Sequence, residues 1–308
     1  MRVFVTGSSG WIGSAVVPEL ISMGHQVVGL ARSGASAASL SAAGVEVQSG
    51  TLDDLDTLRD VAEKSDAVIH LAFKHDLVYS GDFQGAADAD RRAVEAFGDV
   101  LSGTDRPFLI ASGTLGLTQG ELATEADGHE PVPAGATGPL ARRATAQFTL
   151  SLAANGVRAS VVRLPPTVHG DGDKGFMASI VRVARQRGVS AYIGDGTNRW
   201  PATHRLDAAH VFRLALENAP AGSTLHAVAD EGVSIRQVAE VIGRHLDVPV
   251  VSISTEEAGE HFGVLAHLLA LDSPASSART RELLGWRPTH QGLIADLDEG
   301  HYFRKTSA

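Results

Sequence analysis

Gly7, Gly10 and Gly13 stand three apart in Thr6-Gly7-Ser8-Ser9-Gly10-Trp11-Ile12-Gly13, between the apolar run Val3-Phe4-Val5 and a segment of helical period. Glycine here permits a tight turn and lets backbone N–H groups approach a pyrophosphate, while a helix N-terminus adds partial positive charge. Thr6, Gly7, Ser9, Gly10, Trp11, Ile12 and Gly13 are therefore candidate contacts to a dinucleotide. An ordinary glycine turn would not require a strand before the loop and a helix after it. The choice of dinucleotide turns on the end of the second strand, where a carboxylate would accept the ribose hydroxyls of NAD. Arg32-Ser33 stands there, and no acidic residue lies between Glu19 and Glu46. Arg32 can instead pair with a 2′-phosphate, so the sequence predicts NADP.

Proton chemistry has fewer candidates. Phe73-Lys74-His75-Asp76-Leu77-Val78-Tyr79 reads as a loop after the fourth predicted strand, at the sheet edge where open α/β folds bind ligands. His75 titrates near neutrality, Tyr79 is a possible acid, and Asp76 could orient the histidine; solvated loop side chains are the alternative reading. His169, Lys174, Arg199-Trp200 and His204 are candidate substrate contacts further on. The 13 histidines include no H-x-x-x-H pair and cysteine is absent, so no metal site is expected. The Gly-x-Ser-x-Gly elbow of hydrolases is also missing.

The elements that must carry these residues follow a βαβ rhythm. Buried parallel strands are predicted at 2–6, 26–31, 45–48, 67–71, 107–111 and 158–163, because β-branched residues there form near-continuous apolar runs. Helices are predicted at 11–23, 83–101 and 138–155, each stop near 24 and 156 marked by glycine. After Pro165-Pro166 the rhythm breaks into a Gly-rich loop and a helix over 176–187. A helix over 207–217 and a strand over 224–228 then return to the sheet, followed by a capped helix over 234–246.

Together these residues resemble the extended short-chain dehydrogenase/reductase superfamily of the NAD(P)-dependent epimerase/dehydratase type. The likeness spans nearly the whole chain. Gly50-Thr51-Leu52-Asp53 is similar to the segment beside the adenine, and His70-Leu71-Ala72-Phe73 to the end of the fourth strand. Ile110-Ala111-Ser112-Gly113-Thr114 resembles the fifth strand, and Arg163-Leu164-Pro165-Pro166-Thr167-Val168-His169-Gly170 the segment that passes the nicotinamide. His204-Arg205-Leu206-Asp207 and 279–288 match C-terminal landmarks.

The resemblance implies an α/β fold, a Rossmann-type doubly wound parallel sheet with a smaller, discontinuous C-terminal substrate lobe. Residues 1–165, rejoined by 200–230, would bind the nucleotide, and 166–199 with 231–308 would bind substrate. It adds Leu52, Asp53, Leu71, Ala72, Phe73, Arg142, Leu164, Pro165 and Val168 as cofactor contacts. Ser112 becomes the group that polarises a substrate oxygen, with Thr114 on the same side of the strand if the alternation continues. The family's Tyr-x-x-x-Lys pair is missing: 137–144 reads Thr-Gly-Pro-Leu-Ala-Arg-Arg-Ala, and the tyrosines are Tyr79, Tyr192 and Tyr302. Arg142 or Arg143 can supply a fixed positive charge there but not a proton. Asp90 stands nearest the family's helix-borne Asn. His75 or Tyr79 would have to replace the lost donor. Dimerisation through the helices after the fourth and fifth strands is a further implication.

Composition agrees with a globular enzyme. A 308-residue chain with 44% hydrophobic residues can bury a large core, and a net charge of -10 without any basic stretch excludes nucleic acid as an expected partner. No apolar run is long enough for a membrane span, and Met1-Arg2 leads straight into the first strand, which predicts a cytoplasmic protein. The reading is an NADP-dependent oxidoreductase acting on a small carbonyl or alcohol. A nucleotide-sugar epimerase or dehydratase, or a non-catalytic NADP-binding sensor, are the alternatives.

Overall fold

A computed structural model describes residues 1–304, apart from the side chain of Tyr79. The first half alternates strand and helix: β1 (Arg2–Thr6), α1 (Gly13–Ser22), β2 (Gln26–Ala31), α2 (Gly34–Ala42), β3 (Glu46–Ser49), α3 (Leu55–Glu63) and β4 (Ala67–His70). Then come α4 (His75–Tyr79), α5 (Phe83–Leu101), β5 (Pro107–Gly113), α6 (Pro139–Ser151) and β6 (Arg158–Leu164). The second half contains β7 (Thr167–His169), α7 (Phe176–Arg187), β8 (Ser190–Ile193), β9 (Arg199–His204), α8 (Arg205–Asn218) and β10 (Ser223–His226). It continues through β11 (Asp230–Ser234), α9 (Ile235–Leu246) and β12 (Val250–Ile253) to shorter helices.

Seven strands form one parallel sheet in the order β10-β6-β5-β4-β1-β2-β3. Helices cover both faces, as an all-parallel sheet requires to bury its apolar strands. Val16, Leu20, Phe212 and Trp286 pack on one face, and Leu58, Phe97, Phe108 and Ala146 on the other. Phe97 stands edge-on to both Phe4 and Phe108, at 6.0 and 5.6 Å between ring centres, which locks α5 against the middle of the sheet.

Strand starts match the expectation within one residue, while several ends do not. β5 runs on to Gly113 because its pairing with β6 continues as far as Gly113 opposite Leu164. α1 starts at Gly13 rather than Trp11, since Trp11 and Ile12 belong to the turn. The stretch read as a loop over 73–79 is helical from His75. The strands β7, β8, β9, β11 and β12 build a three-stranded and a two-stranded sheet that the apolar pattern did not mark. Met177, Trp200, Ile242, Phe262 and Leu297 fill the core beneath them. The C-terminal stretch does not keep to that core: Leu284 and Trp286 return to the α1 and α8 face of the large sheet. No described helix is long and apolar enough to cross a membrane.

Candidate active site

The glycine loop joins β1 to α1 at the carboxyl edge of the sheet. Gly7 has φ +67°, and a Cβ there would lie 2.7 Å from the Ala72 nitrogen; a Cβ on Gly13 would lie 2.1 Å from the Gly7 carbonyl oxygen. Both glycines are therefore fixed by packing, with Gly7 also fixed by its backbone angle. Ser9 and Gly10 are exposed. Among the described residues the amides of Trp11 and Ile12 have no acceptor, so donors stand free at the helix start, as a pyrophosphate needs. These features fit a dinucleotide.

Several residues expected to touch it also make contacts within the protein. Thr6 is fully buried; its hydroxyl meets His70 Nδ1 at 2.7 Å and accepts from the Ala72 amide, so it supports the loop from beneath. The Ile12 side chain packs on the core. Trp11 Nε1 donates to the Val168 carbonyl oxygen at 2.8 Å, and Arg205 lies over its ring, which ties the loop to β7. The Ser33 hydroxyl caps α2. Arg32 is exposed, with Asp76 Oδ2 3.7 Å away. Asp76 thus faces Arg32 and also acts electrostatically on His75. Leu52 is buried, while Asp53 is engaged by Lys74 and faces Arg92. Leu71, Ala72 and Phe73 are half-buried beside the loop, with Gly7 against the Leu71-Ala72 peptide. Pro165 is buried and Leu164 half-buried.

At the end of β5, Ser112 is half-buried and its hydroxyl makes no hydrogen bond among the described residues. Thr114 does not share that position. The strand stops at Gly113, Thr114 turns inward with its amide on the Leu164 carbonyl oxygen, and it is fully buried with Oγ1 unpartnered. Across from Ser112 in register, buried Arg163 donates to the Asp127 carbonyl oxygen at 2.7 Å and faces His226, holding the 123–130 segment against β6. Burial and the neighbouring Arg143 bring the Arg163 guanidinium down to about 10.

Gly138, at φ +62°, and Pro139 start α6. Two turns of sequence logic meet here, since Pro at the first helical position needs no amide partner. The helix sends Arg142 back to the end of β5, where Nη2 donates to the Ala111 carbonyl oxygen at 3.2 Å and Cζ lies 4.0 Å over the Phe73 ring. Arg143 diverges towards Glu130. The His75 ring stands edge-on to that of Phe73, 5.4 Å between centres. Crowding by protein atoms and the Arg142 charge hold the His75 pKa below its usual value, so the neutral ring is favoured.

Behind them runs a buried string that sequence spacing did not single out: Thr6 Oγ1, His70 Nδ1, then His70 Nε2 to Asp90 Oδ1 at 3.1 Å. Because Thr6 Oγ1 already accepts from an amide, its hydrogen is free for Nδ1, which leaves Nε2–H to donate to the carboxylate. His70 and Asp90 were each visible as family positions, but not as partners 20 residues apart. Tyr302 is no proton donor: its O–H donates to Asp173 Oδ2 at 2.9 Å, and burial raises its pKa. His204 caps α8 by accepting from the Leu206 amide and is lowered to about 4 by burial and by His169 and His290. Asp296, Glu299 and His301 bring ligand atoms within 4.8 Å of one another, a grouping that H-x-x-x-H spacing does not detect. A cavity of about 550 Å³ is lined by Arg281, Trp286 and their neighbours and by none of the residues above.

The sequence profile of the NAD dependent epimerase/dehydratase family matches residues 3–228. The chain belongs to that family. Within it, an uncharacterized protein of Schizosaccharomyces pombe is 50% identical over 304 residues, covering 98% of this chain and all of the relative. The 4-hydroxy-2-methyl-3-oxo-4-farnesyl-3,4-dihydroquinoline-1-oxide ketoreductase of Stigmatella aurantiaca is 24% identical, covering 96% and 95% of the two chains. Among solved structures, the UDP-glucose 4-epimerase of Thermotoga maritima with UDP-glucose superposes with a TM-score of 0.75 over 98% of both chains, at 18% identity. That likeness shows the extended short-chain dehydrogenase/reductase fold. In this member of the family Arg142 binds the carbonyl group directly before Ser112.

Proposed function

We propose that the protein is an NADP-dependent oxidoreductase that transfers hydride between the nicotinamide and a small carbonyl or alcohol. The observation that carries this reading is the unpartnered Ser112 hydroxyl at the end of β5, on the same sheet edge as the glycine loop. The nicotinamide, when bound, supplies or takes the hydride. The chain's own residues then have separate tasks. The loop amides and the α1 N-terminus hold the pyrophosphate, and Arg32, exposed beside Asp76, pairs with the 2′-phosphate. Ser112 donates a hydrogen bond to the reacting oxygen. His75, favoured as the neutral ring, takes the proton when an alcohol is oxidised; in the reduction it passes on a proton that it first takes up from water. A family relative that is a ketoreductase supports the reaction class.

The test is NADPH consumption by the full-length protein against a panel of small aldehydes and ketones. Ser112→Ala should lower turnover by about 10²-fold while leaving NADPH affinity unchanged. NADPH binding without turnover of any carbonyl contradicts the reading and favours a sensor.

A further inference from the structure

Arg142 carries a charge that the protein leaves largely unanswered. Its Nη2 has one neutral acceptor, the Ala111 carbonyl oxygen, and its plane rests on the Phe73 ring. Nε is buried without a partner. Among the described residues no carboxylate lies within ion-pair distance of it, whereas the adjacent Arg143 has Glu130 at 3.9 Å. Asp90 acts on Arg142 only from beyond that distance, and its Oδ1 is bound to His70. A guanidinium offers five N–H donors, and withdrawing it from water without acceptors is costly. An arrangement of this kind points to an acceptor that arrives from outside.

The place of the guanidinium says where that acceptor sits. The carbonyl group that Arg142 binds belongs to Ala111, directly before Ser112, so an anion on Arg142 would be a neighbour of whatever Ser112 touches. The nicotinamide ring cannot serve, because it is neutral when reduced and cationic when oxidised; the ribose hydroxyls beside it can each accept a hydrogen bond, but being uncharged they do not answer the charge of the guanidinium. A planar carboxylate suits the fork of an arginine, which can bind both its oxygens.

We infer that Arg142 binds a carboxylate of the substrate, so the site selects small oxo acids or hydroxy acids over neutral carbonyl compounds. This rests on the oxidoreductase reading and narrows its substrate class. Arg142 is then a specificity-determining residue, where the sequence had offered it as a cofactor contact.

The experiment is calorimetric titration of the NADPH-loaded, full-length protein with 2-oxobutyrate and 3-oxobutyrate and with the amide of each. Wild type should bind the acids at least about tenfold more tightly than the amides. In Arg142→Gln the ratio should fall to about one, and Arg142→Lys should restore part of it through a point charge. Equal binding of acid and amide, no binding of either acid, or a preference that survives in Arg142→Gln overturns the inference. NADPH affinity is read in the same titrations. Failure of wild type to bind NADPH would instead sink the oxidoreductase reading, and the acid and amide comparison without nucleotide would still judge Arg142.

Discussion

At the β1–α1 end of the sheet edge, glycines press against backbone, and the Trp11 and Ile12 amides have no acceptor among the described residues. At the β5–α6 end, Ser112, Thr114 and Arg142 all hold polar atoms that have no hydrogen-bond partner among the described residues. The first end is closed to change because a single added carbon has no room. The second is open to change because several of its polar atoms make no hydrogen bond that a substitution would break. This difference explains how a chain can keep a dinucleotide fold while its proton-handling residues differ from the family pattern.

The largest effect should come from breaking the closed end. Gly13→Ala places a carbon against the Gly7 carbonyl oxygen, so it should abolish measurable NADPH binding and lower unfolding stability by about 3 kcal/mol, read from fluorescence titration and a urea midpoint. Retained binding would show that the loop is looser than its packing. A smaller effect should follow at the rim of the same end. Arg32→Asp should weaken NADPH by about tenfold or more and NADH by less than about twofold, and equal losses would remove Arg32 from the 2′-phosphate.

The smallest effect distinguishes the two hydroxyls at the open end. Thr114→Val replaces a buried, unpartnered Oγ1 with a methyl group of similar shape. It should leave turnover within about twofold and stability unchanged or raised by about 0.5 kcal/mol. A loss approaching that of Ser112→Ala would show that Thr114 reaches the substrate after all.

The comparison also shows what sequence pattern can carry. The strands of the large sheet were legible because burial on both faces leaves long β-branched runs, and α5 and α7 because their apolar positions recur at helical spacing. The small strands around β9 were not, since three to six residues of mixed polarity carry no period. Within the site, the glycine loop was legible because its chemistry is local. Thr114 misled because alternation holds only while the strand does, and β5 ends one residue earlier. The pairing of Arg142 with Ala111, of His70 with Asp90 and of Arg32 with Asp76 spans 20 to 44 residues, and only the fold brings those partners together.

The most direct test of the central claim is a crystal structure of the protein with NADPH and 2-oxobutyrate. The account predicts the pyrophosphate on the α1 N-terminus, the keto oxygen within hydrogen-bond distance of Ser112 Oγ and the carboxylate on Arg142. A nicotinamide ring placed away from the end of β5, with Ser112 and Arg142 both in contact only with water or protein, would contradict it.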